Sequence, residues 1–143
     1  MTTSERSLDQ LLEELVTGTP GARHALVLSR DGLKLSLSPG LSVDRGDQLA
    51  AIASGIQSLA HGASIEFGDG TGGVRQSMTE FHGGILFIVE AGEGAHLAVV
   101  GEESADAGLI GHAMSVLVDD VRGRLRADPR TGDRQDTRGK LPA

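Results

Sequence analysis

The chain has 143 residues, a formal net charge of -7, no cysteine, and three Phe as its only aromatic side chains. That length suits one domain with its own core, and the missing thiols exclude disulfide frameworks, zinc-cysteine sites and thiol nucleophiles. The scarcity of rings and the net negative charge argue against stacked bases and phosphate backbones, so nucleic acid is not an expected partner.

The first ten residues are polar and acidic, unlike the basic and then apolar start of a secretion signal. No apolar run approaches the roughly 18 residues of a membrane span. A cytoplasmic protein with no direct membrane insertion is expected. Residues 1–6 are expected to be a flexible N-terminus, residues 7–128 the domain, and residues 129–143 a disordered tail, because the tail alternates Asp with Arg or Lys around Gly and Pro and has little to bury.

Ser7 and Gln10 form a capping-box pattern, and Leu8, Leu11, Leu12, Leu15 and Val16 follow at helical spacing. Thr17 to Gly21 ends that helix. His24 to Ser29 reads as a strand with apolar residues on both faces, hence central, and Arg30-Asp31-Gly32 is a hairpin turn. The return strand, Leu33 to Leu37, alternates, which predicts Leu33, Leu35 and Leu37 facing inward and Lys34 and Ser36 outward at a sheet edge.

A long second helix is predicted from about Asp44 to about Phe67, with a short strand over Ala63 to Phe67 as the alternative for its end, and with the seam Leu49, Ile52, Ile56, Leu59 and Ala63. A second stripe, Ala51, Gly55, Ser58 and Gly62, lies about 100° around the same helix and is made entirely of small residues. Glycine inside a helix costs about 1 kcal/mol relative to alanine. Two of them on one stripe point either to close approach of another helix or to a composition rich in Ala and Gly.

After a Gly68 to Gly73 loop come three strand-like runs separated by glycine-bearing turns too short for parallel crossovers. Val74 to Phe81 is mostly polar and reads as the other edge, while Ile85 to Glu90 and His96 to Val100 are apolar on both faces and read as central. A last helix carries Ile110, Met114, Leu117, Val121 and Leu125 on one face. The expected fold is α+β, in the order α-β-β-α-β-β-β-α, with a five-stranded antiparallel sheet and helices on both faces.

No catalytic motif stands out. Gly68-Asp69-Gly70-Thr71-Gly72-Gly73 lacks the Gly-Lys-Ser/Thr ending of a phosphate loop, and the five histidines show no i, i+4 pair. Neither a nucleophile elbow nor converging polar groups for a small molecule can be read from the sequence. No cofactor, metal ligand or catalytic residue is predicted.

The sequence resembles the Roadblock/dynein light chain family, and more narrowly its actinobacterial members encoded in conservon operons. The resemblance runs from about Leu8 to Arg126. It rests on Leu8 to Leu15 with the following Thr-Pro-Gly, Ser29 to Leu33, Val74-Arg75-Gln76, and Gly83 to Phe87. It implies a roadblock-like (profilin-like) domain and a non-enzymatic dimer that docks on a small Ras-like GTPase and modulates it without supplying an arginine finger. The operon context implied is a GTPase beside a histidine-kinase-like membrane protein. The implied interface falls on Ala51, Gly55, Ser58 and Gly62 of the second helix and on Val74, Gln76, Met78 and Glu80 of the edge strand. A passive scaffold within such a membrane-associated complex is the alternative, and a small-molecule sensor ranks last.

Overall fold

The structure is a computed structural model that describes residues 6–92 and 94–127, with side chains described as far as Arg122. The expected tail, residues 129–143, and the first five residues lie outside the described residues. Eight elements follow in the expected order: α1 (Leu8–Gly18), β1 (Ala22–Ser29), β2 (Lys34–Leu37), α2 (Val43–Phe67), β3 (Gln76–Phe81), β4 (Gly84–Glu90), β5 (Ala95–Gly101) and α3 (Ala107–Ala127).

The local rules that predict these elements are visible in the caps and turns. At the start of α1 the Ser7 hydroxyl accepts from the Gln10 amide at 3.1 Å, and the Gln10 side chain accepts from the Ser7 amide at 2.9 Å. Ser42 caps α2 by accepting from the Arg45 amide, and Asp106 accepts from the Gly108 and Leu109 amides at the start of α3. Gly32 and Gly83 take positive φ in the two hairpin turns, where a side chain would be strained.

The strands form one sheet in the order β2-β1-β5-β4-β3, with every neighbouring pair antiparallel. Both predicted edges are edges. Strands β1, β4 and β5 send alternate apolar side chains to opposite faces, so each face needs a cover. On one, Val27, Phe87 and Leu97 pack with Leu12 of α1 and with Ile110 and Met114 of α3. On the other, Leu26, Leu28, Ile88 and Ala98 pack with Leu49, Ala50 and Ala53 of α2.

Two inward-facing assignments are corrected. Leu33 and Leu35 are 64% and 55% exposed, and only Leu37 is half-buried. Strand β2 is four residues long, and of its leucines the first turns of α2 cover Leu37: its Cδ2 lies 2.7 Å from where a Cβ on Gly46 would stand. Ser36, expected outward, is buried on the α1 side, and its hydroxyl is held by the Asp9 carboxylate.

The seam of α2 is also rotated from the expected one. Its buried residues are Gly46, Leu49, Ala50, Ala53 and Gln57; Ile56 is half-buried, and Ile52, Leu59 and Ala63 are exposed. Counting the largest apolar residues picks the wrong stripe here, because the helix sits close to the sheet through glycine and alanine. Ends differ slightly too: β1 starts at Ala22, two residues early, and β3 at Gln76, two residues after Val74.

Ser38 completes the pairing of β1 beyond the end of β2. It is almost fully buried; its hydroxyl accepts from the Ala25 amide and its own amide donates to the Ala25 carbonyl, both at 2.9 Å. Ser38→Ala leaves a buried N–H without an acceptor, and the expected loss is about 1–3 kcal/mol of unfolding free energy. Urea unfolding of the two proteins measures it; an unchanged midpoint would show that water replaces the hydroxyl.

Candidate dimer and partner surface

Helix α2 runs obliquely over its face of the sheet. Gly46 meets Leu37 on one edge strand, and eleven residues later the Gln57 side chain accepts from the Ser77 hydroxyl on the other, at 2.8 Å. No residue of α2 after Gln57 is buried. The ten residues from Ser58 to Phe67 span about 15 Å at 1.5 Å per residue, and they carry Leu59 and Phe67 at 79% and 90% exposure.

Ala51, Gly55, Ser58 and Gly62 all lie exposed on the side of α2 turned away from the sheet, flanked by Ile52 and Leu59. A Cβ built on Gly55 or Gly62 would meet nothing within 4 Å. Packing among the described residues therefore gives no reason for either glycine. The opposite holds at Gly46, where a Cβ would collide with Leu37.

Strand β3 pairs only with β4 and leaves its outer backbone edge free among the described residues. Its side chains alternate. Gln76, Met78 and Glu80 share a face with Val89, Phe87 and Ile85, on the α1 and α3 side, whereas Ser77, Thr79 and Phe81 share the α2 face. Val74 precedes the strand and is half-buried in the preceding loop. Gln76, Met78 and Glu80 of the expected interface therefore lie on the sheet face opposite α2, and the β3 residues on the α2 face are Ser77, Thr79 and Phe81. The alternation of a strand sets that division between the two faces.

The glycine-rich loop passes from a helix to a strand, the reverse of a phosphate loop. Its polar groups are spent internally: the Asp69 carboxylate accepts from the Thr71 amide at 3.0 Å and hydroxyl at 2.7 Å, and the Thr71 hydroxyl accepts from the Gly73 amide at 3.2 Å. These bonds hold the Asp69 carboxyl below its ordinary pKa. His61 Nδ1 lies 2.9 Å from the Gly72 carbonyl and fastens the loop to α2.

His24 and His96 share the α2 face of the sheet, and the Nδ1 atom of each is buried without a hydrogen-bond partner among the described residues. Burial lowers the pKa of both below the ordinary histidine value, with help from Arg45 and Arg23 at His24 and from Arg30 at His96, where Glu90 opposes. His82 lies in the β3–β4 turn, at the opposite end of β4 from Glu90, the cross-strand partner of His96, so the two do not converge. No group of three or more potential metal ligands forms among the described residues, and no helix there is long and apolar enough to cross a membrane.

The sequence profile of the Roadblock/LC7 domain matches residues 8–101, from the start of α1 through β5. The chain belongs to the Roadblock/LC7 family. It is 43% identical to a Roadblock/LC7 domain from Streptomyces avermitilis over 85% of this chain and 100% of that one, with a TM-score of 0.79. The gliding protein MglB of Thermus thermophilus shares the fold at 22% identity, a TM-score of 0.72 and coverage of 83% and 88%, and a further MglB structure has a tetrameric arrangement. Acanthamoeba castellanii profilin II shares the fold more distantly, at 19% identity, a TM-score of 0.53 and coverage of 82% and 98%.

This Roadblock/LC7 domain therefore has the expected profilin-like order, and α3 extends it beyond the matched residues. Its two depressed histidines fix the sign of one pH effect. Because His24 and His96 take up a proton more readily unfolded than folded, stability is complete above the unfolded value near 6.5. It falls as pH drops below that, and the loss is complete only below the folded pKa values. Urea unfolding at about pH 7.5 and 5.5, a window above ordinary carboxylate titration, should give a lower midpoint at the acid end. A lower slope is expected in His96→Gln; equal slopes would remove His96 from the account.

Proposed function

We propose that this Roadblock/LC7 chain works as a homodimer that docks on a small Ras-like GTPase as a non-enzymatic regulator within a bacterial signalling complex. The observation that carries the reading is the outer face of α2. Gly55 and Gly62 weaken the helix by about 1 kcal/mol each relative to alanine, and a Cβ at either would meet nothing within 4 Å among the described residues. A second helix laid against Ala51, Gly55, Ser58 and Gly62 would gain the close approach that the small residues allow and would cover Ile52 and Leu59.

The free edge of β3 lies beside that face. Two copies related by a twofold axis would join their β3 edges and continue the sheet from one subunit to the other. In that arrangement Ser77, Thr79 and Phe81 would lie on the α2 side of the seam, and Gln76, Met78 and Glu80 on the other. A surface assembled from two copies would give the GTPase a single platform. Arg45 and Arg75 are assigned no catalytic part.

Equilibrium sedimentation at micromolar concentration should return a dimer for the wild-type chain. Gly55→Leu and Ser58→Leu place bulk on the exposed stripe and should weaken the dimer by about tenfold or more while leaving the urea midpoint of the fold close to wild type. A monomeric wild-type chain would remove the basis of the reading. GTP turnover by the GTPase recovered with the chain, measured with and without it, separates regulator from scaffold: binding without a change in turnover would make it a scaffold.

A further inference from the structure

We propose that the cleft beneath the second half of α2 binds a small zwitterion, a molecule with an acidic group at one end and an amine at the other. The cleft has a volume of about 510 Å³, within the range of small-molecule sites. Its floor is made by the ends of three adjacent strands, where Arg30, His96 and Glu90 face α2. One wall is α2, with Ser54 and His61, and the other is the loop around Thr71.

The opposite charges on the floor are what select the ligand. Arg30 follows β1 directly, and its amide donates to the Gly94 carbonyl at 2.9 Å; Glu90 ends β4. Strand β5 lies between them, so their backbones stand about 10 Å apart, two strand spacings. Both side chains are largely exposed to solvent, and neither has an ion pair or hydrogen bond among the described residues. An anion alone would satisfy Arg30 and be repelled by Glu90, and a cation alone would do the reverse. A molecule with both ends satisfies the two together, and charge-assisted hydrogen bonds are the stronger kind.

The remaining walls hold shape. His61 is fixed by the Gly72 carbonyl, and Gly72 has a φ of +86, with a Cβ there falling 2.2 Å from the His61 ring. The wall of the cleft is therefore set by backbone. Burial holds His96, between the two charges, toward its neutral form, so Arg30 and Glu90 are the opposed charges among the described lining residues.

An amide NMR titration of the full chain tests this with δ-aminovalerate, whose two charged ends are joined by a short flexible stem, against valerate and pentylamine, which each keep one end. Shifts are expected at the amides of Arg30, Glu90 and His96, with δ-aminovalerate binding tighter than either single-ended control. Arg30→Gln should weaken δ-aminovalerate and valerate by about tenfold or more and leave pentylamine unchanged; Glu90→Gln should weaken δ-aminovalerate and pentylamine by a similar factor and leave valerate unchanged. Absence of shifts at about 50 mM probe, equal binding of all three probes, or indifference to both substitutions would overturn the proposal. Sedimentation of the same samples reports the dimer separately, so failure here leaves the proposed dimer standing and failure of the dimer leaves the cleft to be judged on its own titration.

Discussion

The whole arrangement depends on a sheet that is apolar on both faces. Strands β1, β4 and β5 alternate large aliphatic side chains, so neither face can be left to water. Two helices cover one face. The other depends on α2 alone, which must lie close and obliquely to reach from β2 to β3. It does so with Gly46, Ala50 and Ala53, residues small enough to let the helix axis approach the strands. Because 25 residues are more than that task requires, the second half of α2 is left with no core to bury against.

Small residues consequently occur on both sides of one helix for different reasons. The inward ones are accounted for by contacts: remove the space at Gly46 and Leu37 must move. The outward ones have no such contact, yet glycine there carries the same cost to the helix. Local geometry does not require them either, since neither Gly55 nor Gly62 has a positive φ. The asymmetry gives the exposed stripe weight beyond a compositional bias toward alanine and glycine, and exposed Ile52 and Leu59 beside it extend the patch with apolar surface.

Element order, both edges and the cap of α1 were legible in the sequence because each rests on local chemistry, whereas α2 is capped by Ser42 ahead of the expected Asp44. Ser7 with Gln10, Arg30-Asp31-Gly32 and the Gly83-Gly84 turn specify their conformations within a few residues. The facing of side chains was less legible wherever burial was decided by a neighbour. Ser36 is buried because Asp9 comes from another element to bond it, and Gln57 because Ser77 does. Ile52 and Leu59 misled for a related reason: large apolar residues usually mark the buried stripe, but a helix seated by alanine and glycine exposes them. The cleft was illegible altogether, since Arg30, His61, Glu90 and His96 converge only through the strand order and the fold-back of the loop after α2.

One half-helix is common to both surfaces. Ser58 lies on the small outward stripe and also at the rim of the cleft, and Val74 borders the cleft immediately before the free edge strand. The segment from Ser58 to Phe67 is fastened below by the contact of His61 with Gly72, while Gln57, one residue before it, is bonded to Ser77. A molecule seated between Arg30 and Glu90 would brace the underside of this segment, and a second helix against Gly55 and Gly62 would press on its upper side. The segment beyond Gln57 has no packed core behind it, whereas the stripe at Ala51 and Gly55 rests on the half of α2 seated through Ala50 and Ala53. Ser58 is where the two surfaces meet, so a bulky side chain there would intrude on both the outer stripe and the rim of the cleft.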